Sequence, residues 1–115
     1  MATPLEELEI RLVGGVVLAC VRGEVDLSNA PSVRERLLGA VPNTAAALVL
    51  DLSGTDYLDS SGVGLIFELA ERLGGRGQKL ELVVPDDSVI KRVLVLTEVE
   101  QVAPIFVSVD AALQA

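Results

Sequence analysis

Leu8-Glu9-Ile10-Arg11-Leu12-Val13-Gly14-Gly15-Val16-Val17-Leu18-Ala19-Cys20-Val21 holds two kinds of strand joined by two glycines. In the first half, Leu8, Ile10 and Leu12 alternate with Glu9 and Arg11, the pattern of a strand buried on one face. Gly14-Gly15 between two apolar runs predicts a tight hairpin, so the two strands should run antiparallel. The second half, residues 16–21, is apolar without a break. A short β-branched run of that kind predicts a strand covered on both faces. Such a strand requires layers above and below the sheet, which points to an α/β fold.

In residues 47–52, Ala-Leu-Val-Leu-Asp-Leu, the first four repeat the unbroken apolar pattern, so residues 16–21 and 47–51 should form the centre of the sheet. Between them Asp26, Ser28 and Asn29 are possible N-caps and Pro31 suits a first helical turn. Val33, Leu37, Leu38 and Val41 then recur at helical spacing up to Pro42. Residues 53–58 read as a loop leading to Asp59-Ser60-Ser61-Gly62. A helical pattern follows to Leu73, stopped by Gly74-Gly75. Leu80, Leu82 and Val84 mark a further strand ended by Pro85. Asp87 or Ser88 should cap a third helix containing Val89, Ile90, Val93, Leu94 and Leu96. Ile105, Phe106 and Val107 could form a short strand, and residues 109–113 a short final helix. The expected fold is one α/β domain over residues 1–115, ordered from about 8 to 113. Its four- or five-stranded mixed sheet should carry helices mainly on one face, because successive parallel crossovers step in one direction.

The 115 residues are 50% hydrophobic and only 3% aromatic, with no Trp and no His. Nine basic residues against 17 acidic ones leave a net charge of −8. No basic patch is available for nucleic acid, few rings are available for stacking bases, and an anionic membrane surface is disfavoured. The absence of His removes His-based triads, metal sites and proton shuttles. No catalytic residue, metal or cofactor is therefore expected. Cys20 stands alone, and residues 1–7 have neither the basic region nor the apolar run of a secretory leader. A cytoplasmic protein without direct membrane insertion is expected.

The helix after Asp59 carries the candidate site. At 100° per residue, Val63, Ile66, Leu69, Ala70 and Leu73 share one arc, with Leu65 and Phe67 at its edges. Ser60, Ser61, Gly64, Glu68, Glu71 and Arg72 lie opposite. Gly62 and Gly64 are poor choices for a first helical turn, each costing roughly 0.5–1 kcal/mol relative to Ala. Two such glycines beside two serines suggest a backbone that something approaches closely. An Asp59 or Ser60 cap on an amphipathic helix accounts for the remaining pattern.

The stretch Tyr57-Leu58-Asp59-Ser60-Ser61-Gly62-Val63-Gly64 resembles the phosphorylation motif of STAS domains of the anti-sigma factor antagonist type. Gly23-Glu24-Val25-Asp26 matches that family's Gly-Glu-apolar-Asp landmark after the second strand, and Ser88 to Leu94 resembles its third helix. The likeness runs from about Leu8 to Leu113; Glu98 departs from it, standing where the family commonly has Gly. The resemblance implies a switch protein whose unphosphorylated form binds an anti-sigma factor with serine kinase activity and so releases the sigma factor. It implies Ser60 as the phosphate acceptor, a serine phosphatase that removes the phosphate, and Asp26 and Asp59 at the recognition surface. With the polar arc of the helix, the partner surface is expected to comprise Asp26, Ser28, Asn29, Asp59, Ser61, Gly62, Gly64 and Leu65. STAS domains also serve as scaffold subunits of stress-signalling complexes and as docking subunits of lipid-transport ATPases, which is the alternative reading.

Other motifs read more weakly. Asp51-Leu52-Ser53-Gly54-Thr55 faintly resembles the start of a haloacid-dehalogenase phosphatase, but Ser53 stands where a second Asp is needed. A response-regulator receiver needs an acidic pair after its first strand, where Gly14-Gly15 stands. Gly74 to Lys79 precedes a strand and lacks the phosphate-loop pattern.

Overall fold

The computed structural model describes residues 5–115, with side chains from Leu8 onward. The reading of residues 1–7 as free of a leader lies outside the described side chains. Strand β1 (Leu5–Val13) turns through Gly14-Gly15 into β2 (Val16–Val25), and the two pair antiparallel with Val13 opposite Val16. Both glycines have positive φ, 55° and 81°, which a two-residue hairpin turn demands. Helix α1 (Ala30–Ala40) follows, then β3 (Ala47–Asp51), β4 (Thr55–Leu58), helix α2 (Ser60–Gly74) and β5 (Lys79–Val83). Helix α3 (Lys91–Leu96), one 3-10 turn (Val99–Gln101), strand β6 (Ile105–Phe106) and helix α4 (Val109–Leu113) complete the chain.

The sheet runs β1-β2-β3-β5-β6. This is the five-stranded mixed path expected, with β2 and β3 at its centre and β3, β5 and β6 each added in parallel. A sixth strand, β4, lies off that path, in the segment read from sequence as a loop. Strand β2 continues to Val25, beyond Val21 where its apolar run ends, and so outreaches β3. The Gly23-Glu24-Val25 landmark is therefore the end of β2 rather than a turn after it. β4 fills the vacated edge, pairing in parallel with Gly23 opposite Thr55 and Val25 opposite Leu58. A register shift between Gly23 and Glu24 leaves Thr55 and Leu58 buried with Asp56 and Tyr57 exposed between them. That spacing hides the strand from a period-two reading. Thr55 is held by its hydroxyl, which donates to the Val21 carbonyl at 2.7 Å.

Strand alternation divides the interior. Val17, Ala19, Val21, Leu48, Leu50 and Leu82 face α1, α2 and α3, forming the main core with Leu37, Ile66, Leu69 and Leu94. Leu18, Val49 and Val83 face the other way and are covered by Ala112 and Val109 of α4. Three helices thus share one face and the last short helix takes the other. Helix α3 begins at Lys91, later than its sequence suggests: Ser88 Oγ accepts from the Ile90 N–H at 3.3 Å in the preceding turn, and Val89 is exposed. After α3, Glu98 takes φ 59° and ψ 34°, the left-handed conformation. Its departure from the family's glycine is thus at a residue whose backbone favours glycine. Among the described residues no helix is long and apolar enough to cross a membrane.

Candidate functional site

The register of β2 with β4 sets Val25 beside Leu58, so the chain leaves both strands at one place. Asp26 and Asp59 are the next residues. The resemblance implied Asp26 and Asp59 at one surface, and the register places both at the same end of the sheet. They are neighbours through β4, which the sequence reading did not contain.

Asp59 is the centre of the arrangement. One carboxylate oxygen accepts from the Ser61 N–H at 2.8 Å and the Gly62 N–H at 3.0 Å, capping α2. Its other oxygen accepts from the Leu27 N–H at 3.1 Å. One side chain therefore ties the start of α2 to the turn between β2 and α1. That turn is built by its own polar residues. Asp26 Oδ1 accepts from the Ser28 N–H at 2.9 Å and its hydroxyl at 2.5 Å. Asn29 Oδ1 accepts from the Asp26 N–H at 3.0 Å, while its amide donates to the Glu24 carbonyl at 2.8 Å. Asn29 thus braces the turn and does not cap α1 with its side chain. The hydrogen bonds from Ser28 hold the Asp26 carboxyl below its ordinary range.

Ser60 is the first residue of α2 and is exposed. None of the hydrogen bonds of the site uses its hydroxyl. A helix N-terminus commonly welcomes an anion, but here a carboxylate already occupies the Ser61 and Gly62 N–H groups.

The two glycines have different causes. Gly62 is buried, and a Cβ on it would lie 2.7 Å from the Val25 carbonyl oxygen and 2.9 Å from Leu58 Cδ2. What approaches Gly62 is the end of the sheet, so this residue serves the fold and is not open to a partner. A Cβ on Gly64 would meet nothing within 4 Å. Gly64 faces a groove of about 290 Å³ between α1 and α2, lined by Leu27, Ala30, Pro31, Arg34, Ser61, Gly64, Leu65 and Glu68. Leu65 is buried at the groove's base, and an ion pair of 3.3 Å joins Arg34 to Glu68 across it. A second, shallower hollow holds Asp26, Leu27, Ser28, Tyr57 and Asp59.

Leu27 borders both hollows and is 75% exposed, a large apolar side chain held out by the Asp59 bond to its own N–H. The sequence reading passed over it. Its available signal was an isolated apolar residue between Asp26 and Ser28, outside any periodic run. Tyr57, Arg34 and Glu68 were also missed as site residues, because their neighbours come from other elements.

Asp51, the weak phosphatase candidate, is engaged elsewhere. Its Oδ1 accepts from the Ser53 N–H and hydroxyl at 3.0 and 2.6 Å, and its Oδ2 from the Cys20 thiol at 3.6 Å. Burial, and then the Asp51 carboxylate, push the Cys20 thiol up, which keeps it protonated at neutral pH.

A family profile described as STAS domain matches residues 7–112. Anti-sigma-F factor antagonist RsfB of Mycobacterium tuberculosis is 30% identical over 100 residues, covering 86% of this chain and 80% of that protein. Sulfate transporter 3.5 of Arabidopsis thaliana is 29% identical over 106 residues, covering 88% of this chain but only 17% of the transporter. Among solved structures, an anti-sigma factor antagonist from Mycobacterium paratuberculosis superposes with a TM-score of 0.83 at 27% identity, over 94% of this chain and 91% of that one.

Proposed function

The chain belongs to the STAS domain family, and from that premise we propose that it is an anti-sigma factor antagonist switched by phosphorylation of Ser60. Its similarity to RsfB over most of both chains supports this reading. The observation that carries it is the Asp59 clamp. It holds an exposed serine at the start of α2, beside the β2–α1 turn and the α1–α2 groove, and it does so without the serine's hydroxyl.

The partner is an anti-sigma factor with serine kinase activity, docking over Leu27, the Asp26–Asn29 turn and the groove face of α2. Asp26, Ser28, Asn29, Ser61, Gly64 and Leu65 belong to that surface; Asp59 builds it. The chain is a substrate and not an enzyme: the base that activates Ser60 comes from the kinase, and a serine phosphatase reverses the modification. It acts in the cytoplasm, where the sigma factor is. Phosphate adds about −1.5 to −2 charge. Because the cap bonds are independent of Ser60, the helix stands, and the cost appears where the partner must meet that bulk and charge beside Asp26 and Asp59.

A coupling of about 2–3 kcal/mol corresponds to roughly 30- to 150-fold weaker binding. Titration of a cognate kinase-type anti-sigma factor should show that Ser60→Asp folds normally and binds weakly. Ser60→Ala should bind and resist phosphorylation. Equal affinity of phosphorylated and unphosphorylated protein sinks the switch. That result would favour a docking subunit, the reading supported by the likeness to one part of a much longer transporter.

A further inference from the structure

Strand β1 pairs with β2 on one side and ends the sheet on the other. It is nine residues long and contains no Pro, so it lacks two common guards against edge pairing. Its pairing with β2 is irregular only near its start, between Leu5 and Glu7; from Glu7 to Val13 the ladder is regular. Across the two-residue turn, Val13 and Val16 form a hydrogen-bonded pair, so Val13, Arg11 and Glu9 direct their backbone groups at β2. On the far side of β2, the Ala46 N–H reaches the Gly15 carbonyl, which fits the same parity. The N–H and C=O groups of Leu8, Ile10 and Leu12 therefore point outward along the free edge.

We propose that this edge binds a second copy of the chain, β1 against β1, about a two-fold axis through Ile10. In that register Ile10 faces Ile10 and Leu8 faces Leu12 of the second copy, all as hydrogen-bonded pairs. Glu9 then faces Arg11, and Arg11 faces Glu9, at the non-hydrogen-bonded positions where side chains come closest. Charge selects this register. Moving the axis to Glu9 places Glu9 against Glu9, and moving it to Arg11 places Arg11 against Arg11. The Glu9 axis also sets Glu7 against Arg11 twice, but only the Ile10 axis among these three joins opposite charges twice without opposing like charges, and it is the midpoint of the regular ladder from Glu7 to Val13. The apolar face agrees: Leu12 is 67% exposed in the single chain, while Leu8 and Ile10 already lean on the main core. Pairing would bring Leu12 of each copy over Leu8 of the other.

The resulting sheet is continuous through both copies. Ile10 is opposite Ala19, six residues before Val25, so each Asp59–Ser60 site lies roughly 20 Å along the strands from the axis, at about 3.3 Å per residue. The two-fold sends the two sites to opposite ends and leaves both open.

Sedimentation velocity on the full chain across a dilution series up to about 100 µM reads any dimer constant up to that value. The expected result is a dimer that is weakened about tenfold or more by Glu9→Arg and by Arg11→Glu, since each change turns two attractive pairs into two repulsive ones. The double exchange, Glu9→Arg with Arg11→Glu, restores the pairs and should restore the dimer. Ile10→Pro removes an outward N–H that β2 does not use and should give a folded monomer by circular dichroism. A chain that stays monomeric across the series overturns the proposal. So does a dimer indifferent to the single charge reversals, or one that a folded double exchange fails to recover.

Discussion

Glu98 holds a conformation that costs a residue with a Cβ roughly 1–2 kcal/mol and a glycine almost nothing. Its side chain makes one exposed bond, accepting from the Gln101 amide at 3.2 Å. Glu98→Gly should therefore stabilise the fold by about 1 kcal/mol in urea unfolding, and a loss of stability would mean that the Gln101 bond outweighs the backbone term. Asp26 makes a second argument at this scale. Its folded pKa is depressed by the Ser28 bonds, so the carboxylate's contribution is complete above its unfolded value near 4. That contribution disappears as pH falls through the lower folded value. Asp26→Asn should flatten this acid-side dependence, measured as unfolding midpoints between neutral pH and pH 2. An unchanged profile would show that Asp26 is not held by Ser28 in solution.

Helix α2 is defined at its start by a capping carboxylate and by one glycine pressed on the sheet. Gly62 and Gly64 have the same sequence character and opposite surroundings, so their substitutions should diverge. Gly62→Ala forces a Cβ against the Val25 carbonyl and should cost about 1–3 kcal/mol, as overpacking does. Gly64→Ala meets open space and should stabilise α2 by about 0.5–1 kcal/mol. Gly64→Arg fills the groove while leaving the fold intact, and it should impair binding of the anti-sigma factor. Thermal unfolding of the alanine pair and a binding titration of the Arg variant check these outcomes. Equal destabilisation by both alanines would contradict the geometry, and unchanged affinity of Gly64→Arg would remove the groove from the interface.

The whole molecule has its main core on the face shared by α1, α2 and α3, with a smaller one under α4, and β2 and β3 contribute to both. Because the two cores share strands, residues 5–115 should unfold as one unit. Tyr57 is the chain's one tyrosine and there is no tryptophan, so its fluorescence reports the site while far-ultraviolet circular dichroism reports the whole sheet. The two transitions should coincide in urea. A Tyr57 transition at lower urea would make β4 and the start of α2 a separately unfolding unit.

Local pattern was enough for much of this. The unbroken runs at 16–21 and 47–50 were legible as central strands because burial on both faces leaves no polar position to alternate with. The glycine pair signalled the hairpin, Asp59 was legible as a cap, and Ser60 lay on the polar arc of α2 by helical geometry alone. Tertiary structure decided the rest. Strand β4 exists because β2 outruns β3, and a shifted register left no periodicity to read. The groove belongs to neither helix, since Gly64 and Glu68 come from one side and Pro31 and Arg34 from the other. Gly62 could be read as an opening for a partner until Val25 and Leu58 were seen against it, and Leu27 had no role until Asp59, 32 residues away, bound its N–H. A residue's own chemistry and period report which side of an element is buried. Which distant segment comes to lie against it is set by strand register and helix packing, and neither leaves a local signature in the chain.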